Sequence, residues 1–301
     1  MGMFRDALSK AEGSAKFSDA LAESKNTFGN VEHQVETEDT SCMQNYDISA
    51  DSSNNDILVY IMLFLCQNIS TAFSAYKGGF VLSCLLPEVA RRTEDIDFSI
   101  SDYGQYEHVK VVLRELGDIL VSKGIFATYE IKETISEDLC GGVKFVRANG
   151  TKDIGIDIGL HSLSYGVTAW SYNGMECNRF EVERMLSDKI SAIYSRKRFR
   201  RTKDIYDFYI ITGNFDVDLV KLSEYIENHG QIDWNADPFR QEVLEQYAKA
   251  YDKLRLVSIQ GLVLEKPEFG SIITRLDVFM RGLQRGDKVW SHRDLRTSND
   301  S

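Results

Sequence analysis

Apolar and polar positions follow two different periods along this chain, and they predict both helices and strands. Residues 56–76 are mostly apolar, and a segment of that length favours a buried helix over a strand. Residues 93–100, TEDIDFSI, alternate apolar and polar side chains at period two, which predicts a strand. Residues 106–124 repeat apolar positions at helical spacing and end at a glycine, which predicts an amphipathic helix.

The same patterns predict an α+β protein whose mixed sheet is followed by a helical half. Further strands are predicted before residue 180, at 126–135, 142–149, 153–163 and 167–180. No strand is predicted after residue 180, where helical spacing recurs at 181–198, 203–213, 217–230, 237–257 and 268–286. We therefore predict an N-terminal extension over 1–55, a core domain with flanking helices over 56–180, and a helical domain over 181–301.

Composition narrows the classes of protein to which the chain can belong. A net charge of −11 argues against broad coating of nucleic acid but leaves room for a local basic site. The five cysteines are scattered, which is typical of reduced thiols. The longest apolar run, residues 57–66, is far shorter than the ~20 residues of a membrane helix, and the N-terminus has no apolar signal core. We expect a cytoplasmic protein with no membrane partner.

The extension over residues 1–55 has a different character from the rest of the chain. No lysine or arginine occurs between Lys25 and Lys77, so this stretch is acidic or neutral. The composition predicts an arm that is mobile or that depends on a partner for its structure.

Two aspartates stand one residue apart on the predicted strand at 93–100. Asp95 and Asp97 project from the same face, because side chains two apart on a strand point the same way. Adjacent carboxylates repel each other unless a cation lies between them, and Mg²⁺ typically binds one or two carboxylates together with substrate phosphates. The alternative is a half-exposed strand whose polar face carries aspartates by chance.

A third carboxylate lies on a later predicted strand and favours the metal interpretation. Asp157 stands between Ile156 and Ile158, and beside Asp95 and Asp97 it would complete a two-metal site. Asp153 is the competitor for this position, although it lies nearer the start of the strand. We favour Asp157.

A Lys-Gly-Gly sequence precedes these strands and is a candidate phosphate site. Gly78 and Gly79 are expected to join two apolar helices, and the exposed N–H groups of the second helix would suit a phosphate. Lys77 would add a positive charge. The sequence matches neither a Walker A loop nor a Rossmann fingerprint, and the alternative is a helix break without a ligand.

Three charged residues of the helical half occupy apolar positions. Lys189 falls in the middle of an apolar helical stripe, where a lysine is costly unless it meets an anion. Asp204 and Asp207 share one face of the next helix, and Asp207 has almost only apolar neighbours. A buried aspartate needs a partner, so these residues belong either to a functional site or to a structural ion pair between helices and sheet.

Residues 196–203, RKRFRRTK, concentrate six cationic side chains around Phe199. In an acidic chain this is either a solvated helix end or an anion site, in which Arg198 and Arg200 would hold a triphosphate or an RNA backbone. The five histidines are dispersed and receive no role.

These motifs together resemble a known superfamily. Lys-Gly-Gly, then R-x-x-E-D-I-D-F, then a strand with Asp between apolar residues, resembles the nucleotidyltransferases built on the DNA polymerase beta core. LSDKISAI followed by RFRRTKDIYDFYII is similar to the AbiEii nucleotidyl transferase toxins, with which the MenA-type mycobacterial proteins are grouped. The resemblance covers residues 56–213 and implies a nucleotidyltransferase-type mixed sheet.

The resemblance also implies roles for particular residues. The nucleotide phosphates would be held by Lys77, Gly78 and Gly79, and Mg²⁺ or Mn²⁺ by Asp95 and Asp97. The remaining motifs would contact the triphosphate and complete the site, through Lys189, Asp204 and Asp207. Two departures from the family pattern are a lysine, Lys203, where an arginine is common, and a longer gap between the glycines and the first aspartate.

The implied activity is metal-dependent transfer of a nucleotide from an NTP to an acceptor, with release of pyrophosphate. The family pattern favours an RNA acceptor, the 3′ end of tRNA, and an antitoxin that is encoded separately and makes no direct contact. Nucleotide transfer to a protein hydroxyl is the second choice of acceptor. The other classes of function are NTP binding without turnover and a structural or partner-binding protein that works through its acidic arm.

Overall fold

The computed structural model describes residues 46–133, 141–147, 153–194, 202–229 and 238–299. These residues all belong to one compact unit, Cys42–Ser301. The predicted arm lies largely outside the described residues, and so does the segment that holds Arg198 and Arg200. The described residues are not divided at residue 180, so the domain boundary that the sequence suggests there stays a prediction.

The described residues contain eight α-helices. They are α1 Asn54–Asn68, α2 Gly78–Leu85, α3 Tyr106–Ser122, α4 Val182–Ile193, α5 Thr202–Asn214, α6 Leu219–His229, α7 Gln241–Asp252 and α8 Phe269–Arg285. Local chemistry sets several ends: the Ser53 hydroxyl accepts from the Asp56 N–H at the start of α1, and Gly286 ends α8 in the left-handed conformation. No helix in this part of the chain combines the length and apolar content needed to cross a bilayer.

Seven strands form one mixed sheet. They are β1 Ser74–Lys77, β2 Asp95–Ile100, β3 Thr128–Lys132, β4 Gly141–Val146, β5 Ile154–Leu160, β6 Val167–Tyr172 and β7 Met175–Phe180. Their order is β3-β4-β5-β2-β1-β7-β6, in which β2 runs parallel to β5 and antiparallel to β1. The α+β fold class with a mixed sheet and flanking helices is confirmed. The central position of β2 places Asp95 and Asp97 between two neighbouring strands.

The prediction that Gly78 and Gly79 join two helices was wrong. The first helix ends at Asn68, and Ser74–Lys77 forms strand β1, which pairs with β2. Polar residues between 67 and 71 separate this helix from the strand, and the four residues of β1 are too few to show a period that distinguishes a strand from a helix. The glycines therefore stand in a strand-to-helix turn at the edge of the sheet core.

The prediction that strands end at residue 180 was also wrong. The short strands β8 Val217–Asp218, β9 Val289–Ser291 and β10 Arg296–Ser298 form a second sheet in the helical half. Strands of two or three residues are too short to show a period of two. Trp290 on β9 is fully buried, and its indole N–H donates to the Thr212 carbonyl at 2.7 Å, which fastens this small sheet to α5.

The interior contains two hydrophobic clusters. One surrounds the large sheet and includes α1, whose residues Ile57–Leu65 are all buried. The other lies among the helices α4 to α8 of the helical half. Met185 on α4 belongs to the first cluster and Leu186 to the second, so α4 connects the sheet to the helices.

Candidate active site

The three aspartates predicted to bind metal lie on adjacent strands. Asp97 is directly opposite Asp157 on β5 and opposite Lys77 on β1. Asp95 is exposed and faces Gly155, where a methyl group would lie 2.8 Å from its carboxylate oxygen. The sheet register therefore brings all three carboxylates and one lysine to the same face.

Asp153, the competitor of Asp157, makes a different contact. Its carboxylate forms an ion pair with Lys144 on β4, with 2.6 Å between Lys144 Nζ and Asp153 Oδ2. It lies before the first residue of β5 and has no pairing with β2. Of the two residues, only Asp157 lies in register with Asp97.

Gly78 lies against the central carboxylate. Its φ is +76°, and a Cβ at this position would overlap the Asp97 carboxylate. Both facts exclude a side chain, the first through backbone strain and the second through direct collision. The turn between β1 and α2 thus places the first N–H groups of α2 beside β2.

Lys77 ends β1 and is held on the site face by a histidine. Its Nζ lies 3.4 Å from His161 Nε2, and His161 Nδ1 lies 3.1 Å from the Ser99 hydroxyl. Sequence reasoning gave His161 no role. Its position four residues after Asp157 was the available signal, because residues an even number apart in an extended segment point to the same face.

Burial raises the pKa of Asp97 to about 6. Lys77 and Lys189 act in the opposite direction, while the nearby carboxylates of Asp157 and Asp95 raise the pKa further. A carboxylate whose charge is opposed by burial and by two like charges gains most from a cation. This electrostatic strain is the property that a divalent ion would relieve.

The carboxylates of this site are the type of ligand that Mg²⁺ binds, but the described residues alone do not supply a complete coordination sphere. Across the described ranges, no group of three or more His, Cys, Asp or Glu side chains is placed to hold a metal ion. Asp95, Asp97 and Asp157 nevertheless offer only oxygen donors, which Mg²⁺ prefers. Since Mg²⁺ commonly uses one or two carboxylates with substrate phosphates, this set fits an ion that arrives with a nucleotide.

The charged residues of the helical half converge on one ion network. Lys189 Nζ lies 2.9 Å from Asp204 Oδ1 and 2.9 Å from Asp207 Oδ2. Arg91, in the segment before β2, places Nη2 2.8 Å from Asp207 Oδ2. All four side chains are largely buried, and Asp207 is only 1% exposed. The network joins α4, α5 and the approach to β2.

The members of this network stabilise one another's charges. Burial alone would lower the pKa of Lys189, but Asp204 and Asp207 together raise it well above its usual range. Burial alone would raise the pKa of Asp207, but Lys189 and Arg91 lower it. The charged forms of Lys189 and Asp207 are therefore favoured despite their burial, and Lys189 lies near enough to Asp97 to lower the pKa of that carboxyl.

Arg91 is the second residue that sequence reasoning missed. It is the arginine of the R-x-x-E-D-I-D-F motif, and the need of Asp207 for a partner was the available signal. A methyl group on Gly79 would lie 3.5 Å from Arg91 Nη2, so the guanidinium also borders the first turn of α2. Arg91 thus connects the glycine turn with the last motif.

Comparison with family models gave a match over residues 73–270. The matching model is described as "Nucleotidyl transferase AbiEii toxin, Type IV TA system". The matched range contains the glycine turn, the aspartates of β2 and β5, and the ion network. No curated protein matched the sequence.

Several solved structures resemble this chain at low sequence identity. A putative nucleotidyltransferase from Helicobacter pylori is 15% identical, with a TM-score of 0.46, covering 78% of this chain and 96% of that one. JHP933 from the same organism is 15% identical, with a TM-score of 0.44 and coverage of 78% and 94%. The nucleotidyltransferase toxin MenT4 from Mycobacterium tuberculosis is 15% identical, with a TM-score of 0.48, covering 77% of this chain and 87% of that one. This mycobacterial toxin carries the name MenT, whereas the resemblance above was stated with the name MenA.

Proposed function

The chain belongs to the AbiEii nucleotidyl transferase toxin family, and on that premise we propose that it transfers a nucleotide from an NTP to the 3′ end of an RNA, with tRNA as the favoured acceptor. One observation carries the proposal: the strand with Asp95 and Asp97 lies directly against the Gly78 turn. That juxtaposition supports the proposal, because a helix N-terminus that would hold phosphates and two carboxylates that would bind metal lie close enough to contact one triphosphate.

The turn between β1 and α2 would hold the phosphates. The first N–H groups of α2 have no partner within the helix, and the helix dipole favours an anion there. Gly78 lets this backbone approach Asp97 closely. Lys77, held by His161, adds a positive charge on the same side.

Asp95 and Asp97 would hold Mg²⁺ or Mn²⁺, with Asp157 as the third carboxylate. A bound ion would neutralise charge on the reacting phosphates and orient them. Asp97 must lose its proton to serve as a ligand, and Lys189 assists by lowering its pKa. The ion network fixes Lys189 through Asp204 and Asp207, and so keeps its positive charge beside β2.

In the proposed reaction the 3′ hydroxyl oxygen of the RNA bonds to the α-phosphorus of the NTP. The bond from that phosphorus to the bridging oxygen breaks in line, and pyrophosphate leaves. The hydroxyl proton passes to a carboxylate of the site or to water. The chain's own contribution is to position the reactants and to stabilise the developing negative charge.

The biological setting follows from the family and is part of the proposal. We place the reaction in the cytoplasm, where NTP and tRNA are available. The antitoxin is a separately encoded protein that acts without direct contact.

Labelled nucleotides test the proposal. The protein is incubated with Mg²⁺, each α-labelled NTP in turn and total tRNA, and the RNA is separated from free nucleotide. Asp97→Asn should abolish the transfer of label, whereas Asp153→Asn, the matched control from the Lys144 ion pair, should retain it. Absence of transfer with every NTP, or transfer that Asp97→Asn leaves unchanged, would refute the proposed activity.

A further inference from the structure

A second concave feature adjoins the site and is strongly basic. A cavity of about 670 Å³ opens beside the residues that lead into β2. Its lining, which we call the basic cavity, includes the cations Arg91, Arg92, Lys203, Arg255 and Lys266 and one carboxylate, Glu94. In a chain of net charge −11, five cations around one hollow are a local reversal of charge.

The wall of the basic cavity is a fixed part of the fold. The segment after α7 folds back across the approach to β2, where the Arg92 N–H donates to the Val257 carbonyl at 2.7 Å. Arg91 and Ser258 form an isolated antiparallel bridge, and Ser258 is completely buried. This backbone pairing holds Arg91 and Arg92 close to β2.

The charges in the basic cavity are only partly satisfied within the protein. Arg92 and Arg255 are exposed, and neither guanidinium has an ion pair with any described residue. Arg91 forms an ion pair with Asp207 through Nη2, while its buried Nε has no hydrogen-bond partner in the described part of the chain. Lys266 donates to the Tyr251 carbonyl and lies over that ring. Unmatched cations in a concavity attract an anionic ligand.

We propose that the basic cavity binds phosphodiester groups of the acceptor strand and so positions its 3′ end at Asp95. This inference rests on the proposed function. A cavity of this size is in the range of small-ligand sites, which accommodates one or two nucleotides. Val263, which also lines it, is 86% exposed and offers apolar surface to a base.

The register of β2 favours the acceptor over the triphosphate as the occupant. Glu94 lines the cavity and immediately precedes Asp95, whereas Lys77 lies opposite Asp97 and His161 contacts Ser99. The cavity thus adjoins the Asp95 end of the carboxylate pair and begins beside Gly79, which Arg91 and Thr93 border, whereas Lys77 and His161 lie at the Asp97 end. Attacking and leaving groups approach a phosphorus from opposite sides, so a triphosphate that extends from the glycine turn towards Lys77 leaves the rest of the cavity to the acceptor.

The test uses the full chain and two double variants with the same change of charge. Arg92→Gln/Arg255→Gln removes the two cations of the cavity that have no ion pair. Arg281→Gln/Arg296→Gln removes two exposed arginines of α8 and β10 and is the control. Binding of a fluorescent single-stranded oligoribonucleotide and of a fluorescent NTP with Mg²⁺ is measured by anisotropy at several salt concentrations, with Tm as the check on folding.

The cavity variant should bind the RNA about tenfold more weakly, and its salt slope should fall by about 1.4, because each of two lost phosphate contacts on a single strand removes about 0.7. Its NTP affinity should equal that of the wild type, and the control should change neither. A loss of NTP affinity with unchanged RNA affinity would assign the cavity to the triphosphate and overturn the inference. Unchanged affinity for both ligands, or no RNA binding by the wild type, would also overturn it.

Failure of the inference and failure of the proposed function give different results. RNA binding that depends on the cavity, in a protein that transfers no nucleotide, would contradict only the proposed function. Nucleotide transfer to RNA with equal RNA KM in wild type and cavity variant would contradict only the inference.

Discussion

Gly78 is the residue on which the geometry of the site depends most closely. Its backbone conformation is one that side chains rarely adopt, and its missing side chain leaves room for the Asp97 carboxylate. These two requirements have separate costs. Gly124 also has a positive φ but has open space at its Cβ position, so comparing the two glycines separates the cost of backbone strain from the cost of collision.

Gly78→Ala should therefore destabilise the protein and abolish nucleotide transfer. A positive φ costs about 1–2 kcal/mol in a residue with a Cβ, and the overlap with Asp97 adds to that cost. Gly124→Ala is the matched control, because Gly124 has φ +69° but no atom near its Cβ position. Urea denaturation should show a larger loss for Gly78→Ala, with activity retained in Gly124→Ala. Equal losses of stability with equal activity would remove the special role of Gly78.

Asp97 should make the metal-free protein less stable as the pH rises. Its pKa in the folded state, about 6, exceeds the ordinary value of 3.8, so the folded state binds the extra proton between these values. By linkage, stability then falls as the pH rises through that window. Asp97→Asn should lack this component in urea denaturation at pH 4.5–7, and saturating Mg²⁺ at pH 7 should recover stability in the wild type only. A parallel pH profile for both proteins would contradict the assigned pKa.

The four-charge network links three elements that are distant in sequence. Arg91 precedes β2, Lys189 lies on α4, and Asp207 lies on α5. Removing one cation leaves a buried carboxylate with half of its compensation, which is far costlier than breaking an exposed pair.

Arg91→Met should lower the free energy of unfolding by about 3 kcal/mol, in the range for breaking a buried ion pair. Lys144→Met, which breaks the more exposed pair with Asp153, should cost about 1 kcal/mol or less. Urea denaturation at pH 7 compares the two. A loss for Arg91→Met no larger than that of the control would show that the network contributes little to the fold.

The sequence predicted some elements and site residues well and missed others for identifiable reasons. Strand β2 was predictable because its period of two is clean, and Lys189 and Asp207 stood out as charges among apolar neighbours. Strand β1 was missed because its four residues are too few to show a period. Arg91 was missed because its contact with Asp207 spans 116 residues, and only tertiary packing brings the two together.

The protein combines an acidic net charge with a small basic region, the basic cavity, beside β2. Repulsion from the remaining surface should confine a polyanion to that region. The protein should therefore contact few phosphates, which is unlike proteins that coat nucleic acid.

RNA binding should accordingly show a shallow salt dependence. We expect a slope of log Kd against log salt concentration that corresponds to about two to four phosphates, at ~0.7 per phosphate for a single strand. A short RNA with the 3′-terminal nucleotides of tRNA should bind nearly as tightly as whole tRNA. A slope typical of eight or more phosphates, or a strong preference for whole tRNA, would place the contact on a much larger surface.

The addition of a nucleotide to the 3′ end of RNA is best measured by the mass of the RNA itself. A short RNA of defined sequence is incubated with Mg²⁺, NTP and either wild type, Asp97→Asn or Asp153→Asn, beside the same RNA with a blocked 3′ hydroxyl. We predict a gain of at least one nucleotide with wild type and Asp153→Asn, and none with Asp97→Asn or blocked RNA. An RNA of unchanged mass with wild type, or the same gain with Asp97→Asn, would contradict the account.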